Sequence, residues 1–282
     1  MSRMLTRRSW IAGMGAAGLA SARTLNTAGV QLYTVRSIID KDPAGVLAEI
    51  EKIGYREAEV TWATLTPLWS ALRSTSLKPV SAHLDTLMFG HDGAKLPAAI
   101  GEAASKGFRY VVCPYVRPED RGGAETMKRL GETLTKAGEI AHKSGLTLCY
   151  HNHAFEFAKD GDKTLLDILL ESSDPKLVHL EMDVMWVTIA GADPVELLRR
   201  YMGRVPLLHL KDLHRGVPNR LDEKVERTAF AEVGAGRVDF PRVLKAAAVS
   251  GTRHYFVEQD QTPGDPLASL RTSFGNLRKI RF

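Results

Sequence analysis

Cysteine is scarce in this chain, which has only Cys113 and Cys149 among its 282 residues. The two do not form a CxxC pair, so a cysteine-based zinc site and a disulfide-rich scaffold are both excluded. Each lies in an apolar stretch typical of a strand, and we therefore expect buried free thiols rather than a disulfide. The first candidate strand is not followed by a Gly-rich turn, which argues against a doubly wound dinucleotide-binding sheet.

The composition is that of a globular protein, with 44% hydrophobic and 25% charged residues. These fractions exclude whole-chain disorder, collagen and coiled coil. The formal charge of +5 on its own would suggest nucleic-acid binding. Three of those charges, at Arg3, Arg7 and Arg8, lie in the first 22 residues, and the rest of the chain has a formal charge of about +2. The sequence therefore predicts no nucleic-acid partner.

The N-terminus has the pattern of an export signal. Arg7 and Arg8 precede an apolar, Gly/Ala-rich run, which ends in the small-residue pattern Ala20-Ser21-Ala22. The paired arginines resemble a twin-arginine signal. The apolar run is too short to span a bilayer comfortably, so we expect no stable membrane anchor. We predict a signal peptide over residues 1–22, one domain over residues 23–282, and a periplasmic or secreted protein.

Short apolar runs alternate with amphipathic segments along the rest of the chain. The candidate strands are Gly29–Val35, Tyr55–Val60, Lys78–His83, Tyr110–Pro114, Leu146–Asn152, Leu177–Asp183, Leu207–Lys211 and Tyr255–Gln259. The candidate helices are Pro43–Ile53, Lys95–Lys106, Ala124–Ser144, Thr164–Glu171, Pro194–Tyr201, Phe240–Val249 and Leu267–Ile280. Eight strand units in about 260 residues predict an α/β fold, a single (β/α)₈ TIM barrel.

Histidines and carboxylates are concentrated where these strands end, which is where barrel enzymes carry their active sites. His151, Asp183, His209 and Glu258 come from four candidate strands, and we predict that they form a metal site. Nitrogen and oxygen ligands suit Mn, Fe, Co or Zn, whereas an oxygen-rich set leans toward Mg or Mn. Other polar or aromatic residues near strand ends are candidate substrate contacts: Gln31, Tyr33, Glu59, His83 and Trp186.

At these residues the chain resembles the xylose isomerase-like TIM-barrel family of sugar isomerases and epimerases. The segments that carry the resemblance are Gly29–Val35, Cys149–Phe157, Glu181–Trp186, His209–Asp212 and Val257–Asp260. The family's metal set is a Glu, an Asp, a His and a Glu on strands five to eight. Asp183, His209 and Glu258 match the last three members, whereas His151 replaces the first glutamate, which is one of the epimerases' paired acid/base residues.

The resemblance implies a divalent-metal-dependent enzyme that removes a proton next to a carbonyl of a sugar or keto-sugar. Glu258 is the expected base, Glu181 or His153 could supply the second acid/base group, and Lys211 and Arg215 could bind substrate oxygens. Reprotonation gives an isomerase or epimerase, which we expect first. Loss of a β leaving group gives a lyase acting on a keto-sugar, keto-glycoside or inosose.

Two other classes remain as alternatives. A nuclease on the same barrel would need more metal ligands and a basic groove, which the nearly neutral chain disfavours. A non-catalytic sugar-binding barrel would be compatible with the altered position at His151. We expect a small carbohydrate as partner, and a homodimer remains open because dimers are common among relatives.

Overall fold

The computed structural model describes residues 23–282, and the predicted signal peptide over residues 1–22 lies outside them. Eight parallel strands close into a barrel in which each strand pairs with its neighbours in the chain and the last pairs with the first. The predicted TIM barrel is confirmed. The strands are β1 Gly29–Gln31, β2 Glu57–Thr61, β3 Lys78–His83, β4 Tyr110–Cys113, β5 Thr147–His151, β6 Val178–Asp183, β7 Leu207–Leu210 and β8 His254–Val257.

Helices cover the outside of the barrel. They are α1 Pro43–Ile53, α2 Trp62–Arg73, α3 Leu96–Ser105, α4 Ala124–Lys143, α5 Leu165–Glu171, α6 Val184–Ile189, α7 Pro194–Arg200, α8 Phe240–Ser250 and α9 Pro266–Leu277. Side chains of aspartate begin many of them, as Asp42 does at α1 and Asp265 at α9, by accepting backbone N–H groups of the first turn. None of the helices in residues 23–282 is both long and apolar enough to cross a membrane.

Two helices were not predicted from the sequence. Helix α2 carries Pro67 in its interior and two threonines, and these residues hide the helical pattern. Helix α6 is only six residues long and follows β6 directly, so its residues read as a continuation of the apolar strand. The first predicted strand, Gly29–Val35, is also shorter than expected, because Gln31 ends it and Leu32–Val35 form a 3-10 turn.

The inside of the barrel is filled in layers. A small apolar cluster occupies its middle and includes Cys149 and Phe256. Gly29 leaves room for this cluster, because a Cβ atom there would lie 2.5 Å from the Phe256 ring. Both cysteines are buried and free, as predicted. With the middle closed by apolar side chains, the polar layer above it faces the carboxyl ends of the strands.

A short hairpin extends the barrel beyond β7. It pairs Asp212–Leu213 with Phe230–Ala231, and the segment between them passes over the carboxyl end of the barrel. The buried Asp212 carboxylate holds the base of this hairpin, since it accepts backbone N–H groups from Gly234, Gly236 and Val238. The hairpin thereby forms one wall above the strand ends.

Candidate active site

The four residues predicted as metal ligands lie together at the carboxyl end of the barrel. His151 ends β5, Asp183 ends β6, His209 lies in β7, and Glu258 directly follows β8. All four are buried, and one ligand atom from each lies within 4.8 Å of the others. The strands are parallel neighbours, so their ends meet at one edge and bring the four side chains together.

The donor set fits a divalent cation. Two imidazoles and two carboxylates are ligands that Mn, Fe, Co and Zn accept, and they do not select among these metals. Asp183 is held rigidly, because its Oδ1 accepts the backbone N–H groups of Met185 and Trp186 at the start of α6. Its Oδ2 is buried and accepts no hydrogen bond within residues 23–282. A buried carboxylate oxygen in that condition is costly unless a cation balances it.

Lys211 supplies positive charge to the same group of carboxylates. Its buried ammonium lies 3.1 Å from Asp183 Oδ2 and 2.8 Å from both Glu258 Oε2 and Asp260 Oδ1. Only the contact with Asp260 has hydrogen-bond alignment, so the other two are ion pairs. The three carboxylates raise the pKa of Lys211 well above its ordinary value, although burial acts in the opposite direction.

A cavity of about 610 Å³ opens above this group. Seven residues predicted from the sequence line it: Tyr33, His83, His151, His153, Trp186, Lys211 and Glu258. This volume falls within the range of about 300–1,000 Å³ typical of small-molecule sites.

Six other predicted site residues do not line the cavity, and two of them, Asp183 and His209, belong to the ligand group. Gln31, Glu59 and Glu181 are fully buried beneath the ligand group, where Gln31 donates to Glu59 over 2.7 Å. Arg215 is exposed beyond the hairpin strand Asp212–Leu213. The structure thus brings neither the proposed catalytic Glu181 nor the proposed substrate-binding Arg215 to the cavity wall.

His153 stands in the cavity wall between aromatic side chains. Its ring centroid lies 4.9 Å from that of Tyr115 and 5.4 Å from that of Trp186. Burial lowers the pKa of His153 well below its ordinary value, and the charge of Lys211 adds to this effect. Its Nδ1 and the Trp186 Nε1 have no hydrogen-bond partner within residues 23–282. His153 is therefore a neutral imidazole beside the cavity.

The carboxylates of the ligand group differ in proton affinity. Burial alone would raise the pKa of Glu258, but Lys211 and His209 outweigh it and hold that pKa well below its ordinary value. Burial dominates at Asp183 and raises its pKa to about 6. Glu258 is thus a firmly ionised carboxylate, which suits a metal ligand.

Tyr115 and Glu223 also line the cavity, and the sequence analysis missed both. Tyr115 lies two residues after β4, so the strand-end pattern could have pointed to it, whereas Glu223 lies far from any barrel strand, between the two strands of the hairpin after β7. Arg121 joins these two segments, since its guanidinium binds both carboxylate oxygens of Glu223 at 2.7 and 2.9 Å and lies 3.9 Å above the Phe155 ring. No local sequence pattern signals a pair whose members are about 100 residues apart.

The fold is a TIM barrel, and the chain belongs to the xylose isomerase-like TIM barrel family, whose sequence profile matches residues 94–280. It is 30% identical over 153 residues to an inosose dehydratase of Clostridium tetani, covering 51% of each protein. An inosose dehydratase of Geobacillus kaustophilus is 35% identical over 142 residues, which are 48% of this chain and 46% of that protein. The chain thus matches about half the length of these curated relatives.

Solved structures share the fold over nearly the whole described chain. A sugar phosphate isomerase/epimerase from Parabacteroides distasonis has a TM-score of 0.71 at 23% identity, covering 95% of this chain and 98% of its own. The IOLI protein with a bound zinc atom has a TM-score of 0.68 at 17% identity, covering 91% and 99%. The 3-keto-D-glucoside 4-epimerase of E. coli has a TM-score of 0.66 at 16% identity, covering 89% and 98%.

Proposed function

We propose that this protein is a divalent-metal-dependent lyase that dehydrates an uncharged keto-sugar or inosose. The resemblance noted from the sequence put an isomerase or epimerase first and a lyase second. Similarity to inosose dehydratases over half the chain supports the opposite order. The observation that carries the proposal is the neutral His153 in the cavity wall, next to a ligand group in which His151 stands where the epimerases have a catalytic glutamate.

The charges around the cavity favour an uncharged substrate. Four carboxylates line it, at Asp85, Glu223, Glu258 and Asp260, and no arginine of residues 23–282 does. The lysine that lines it, Lys211, is already paired with three carboxylates. A phosphorylated sugar would find neither an arginine nor an unpaired lysine among these lining residues, whereas hydroxyl groups can bond to the carboxylates.

The proposed reaction needs one group that moves a proton. His151, Asp183, His209 and Glu258 would hold the cation, which when bound polarises the substrate carbonyl. His153 accepts the proton from the carbon next to that carbonyl, and the C–H electron pair forms the new C=C bond. The C–O bond to the β hydroxyl breaks, and the His153 imidazolium returns its proton to that hydroxyl, which leaves as water.

Epimerisation remains the second candidate, and one observation favours it. His83 also lines the cavity, with its ring centroid 5.4 Å from that of His151. Glu59 and Glu181 raise the pKa of His83 to about 10 against the effect of burial, so it carries a proton at neutral pH. A second proton donor beside His153 is what reprotonation on another face requires.

The test follows inosose, a keto-glycoside and a keto-sugar by NMR in D₂O with the metal-loaded protein. Dehydration gives an unsaturated product, and epimerisation gives a deuterated isomer. We expect His153→Gln to lower turnover by about 10²–10⁴-fold with unchanged metal content. The exposed His142→Gln on α4 is the matched control and should keep full activity. Full turnover by His153→Gln would rule out this mechanism.

The metal assignment has its own measurement. We expect Asp183→Ala and Glu258→Gln to lose bound metal, as determined by elemental analysis after dialysis. If both variants keep bound metal and full turnover, the ligand assignment is wrong. If the wild type holds metal but shows neither turnover nor solvent exchange with any of these substrates, a sugar-binding barrel without catalysis becomes the better description.

We also propose that residues 1–22 direct twin-arginine export to the periplasm. The basis is the paired Arg7 and Arg8 ahead of a short apolar run. Replacing both arginines with lysine should leave the full-length protein in the cytoplasmic fraction, whereas the unaltered chain should lose its N-terminal segment and appear outside. Export of the double-lysine variant at the unaltered rate would contradict this assignment.

A further inference from the structure

Two buried glutamates lie beneath the ligand group and take no part in the proposed chemistry. Glu59 comes from β2 and Glu181 from β6, and neither has exposed surface nor lines the cavity. Glu181 Oε2 lies 3.0 Å from Nδ1 of His151, and Glu59 Oε2 lies 2.6 Å from Nε2 of His209. Each of the two ligand histidines thus has its own carboxylate below it.

The same histidines meet the predicted carboxylate ligands with their other ring nitrogens. Nε2 of His151 lies 3.8 Å from Asp183 Oδ2, and Nδ1 of His209 lies 2.8 Å from Glu258 Oε2. A neutral imidazole carries one N–H and one lone pair, and an ionised carboxylate only accepts. Glu181 below the His151 ring therefore holds the proton on Nδ1 and leaves the lone pair of Nε2 directed toward the side of Asp183. His209 lies between two carboxylates and donates from both ring nitrogens, so a bound cation would take the place of the proton on Nδ1, whereas Glu59 keeps the proton on Nε2.

The two glutamates are themselves fixed by donors from other strands. Nε2 of His83 lies 2.9 Å from Glu59 Oε2 and 2.7 Å from Glu181 Oε2, so that it bridges both carboxylates. Gln31 donates its Nε2–H to Glu59 over 2.7 Å. Two carboxylates this close repel each other unless donors lie between them. Donors from β1 and β3 thus hold both carboxylates in place under the ligand histidines.

We propose that Glu59 and Glu181 are positioning residues for the metal centre, each fixing the tautomer and ring orientation of one ligand histidine. This inference rests on the proposed metal site and deepens it. It also separates two overlapping groups that could hold a cation: the upper one of His151, Asp183, His209 and Glu258, and a lower one of His83, His151, Glu181 and His209. The tautomers assign the cation to the upper group.

The experiment measures cobalt binding to the full-length protein after metal removal. Affinity comes from competition with a chromophoric chelator, and ligand geometry from the visible spectrum of bound Co²⁺. We expect Glu181→Gln and Glu59→Gln each to bind one Co²⁺ with about 10–100-fold lower affinity and a shifted spectrum, as is typical when a carboxylate behind a metal-bound histidine is lost. Should Glu181→Gln not fold, Glu59→Gln carries the same test through His209.

Glu156→Gln is the matched control, because Glu156 is equally buried but contacts Tyr150 and the His153 backbone rather than a ligand histidine. It should bind cobalt as the wild type does. Unchanged affinity and spectrum in both Glu59→Gln and Glu181→Gln would overturn the proposal. So would complete loss of cobalt from Glu181→Gln with full retention by Asp183→Ala, since the lower group would then hold the cation. If Glu59→Gln, Glu181→Gln and Asp183→Ala all bind cobalt as the wild type does, the metal site of the proposed function fails as well.

Discussion

Glu156 provides a test of the site's electrostatics that does not depend on metal or substrate. It is fully buried in the loop after β5, where its carboxylate accepts hydrogen bonds from the Tyr150 hydroxyl at 2.7 Å and the His153 N–H at 2.9 Å. Burial outweighs these hydrogen bonds and raises the pKa of Glu156 from 4.5 to about 8. The pH dependence of the free energy of unfolding therefore reports whether Glu156 is protonated in the folded chain.

The direction follows from proton binding. Above pH 4.5 the unfolded chain releases this proton, whereas the folded chain keeps it until about pH 8. The folded state then binds more protons, so stability falls as pH rises through that window. Each pH unit costs about 1.4 kcal/mol, which amounts to about 4 kcal/mol between pH 5 and pH 8. Glu156→Gln has the shape of the neutral carboxyl group and should lose this dependence.

The assay is urea unfolding of the metal-free protein, followed by far-UV circular dichroism at pH 5, 6, 7 and 8. We expect Glu156→Gln to gain stability relative to the wild type by about 1.4 kcal/mol for each pH unit in this window. Glu132→Gln, at an exposed glutamate on α4, should follow the wild type at every pH. A difference between Glu156→Gln and the wild type that stays constant with pH would refute a protonated Glu156.

Four further variants test packing and charge in the barrel and around the site. Lys211→Met should tighten divalent-metal binding about tenfold or more in calorimetric titration, because the ammonium and the cation share carboxylates. The same variant should destabilise the metal-free protein by about 3–5 kcal/mol, because it leaves buried carboxylates unpaired. Weaker metal binding would contradict this. Gly138→Ala should lower the free energy of unfolding by about 1–3 kcal/mol, because its Cβ would lie 2.7 Å from a backbone carbonyl oxygen. Gly101→Ala, an exposed helical glycine with open space at its Cβ, should instead gain up to about 1 kcal/mol, and equal effects would refute the packing argument. Arg121→Met releases Glu223, so KM should rise several-fold with little change in kcat; an unchanged KM would show that this ion pair does not shape the cavity.

The sequence could predict the barrel because its signals are local. Apolar runs and helical spacing are read within ten to twenty residues, and all eight strands were predicted to within a few residues. Helix α2 was missed because Pro67 interrupts its pattern. The ligand group was also predictable, because ends of neighbouring parallel strands converge and His151, Asp183, His209 and Glu258 each stand at such an end.

Depth along a strand was decided only by the tertiary structure. Glu181 and Asp183 are two residues apart on β6 and point to the same side, so the sequence treats them alike. They nevertheless lie about 6–7 Å apart along the strand. Asp183 meets the upper nitrogen of His151, whereas Glu181 lies one layer deeper among three histidines. Only the closed barrel determines which layer meets the cavity.

The part of the cavity wall that loops supply could likewise not be predicted from the sequence. Arg121 and Glu223 meet across loops from different parts of the chain, and Arg215, which the sequence placed at the substrate, is exposed. Strand and helix patterns arise from residues that are close together in the sequence, so they can be recognised without the folded structure. Contacts between distant loops depend on the path of the whole chain, and so the sequence determined the barrel and its ligand group, whereas the tertiary structure decided what surrounds them.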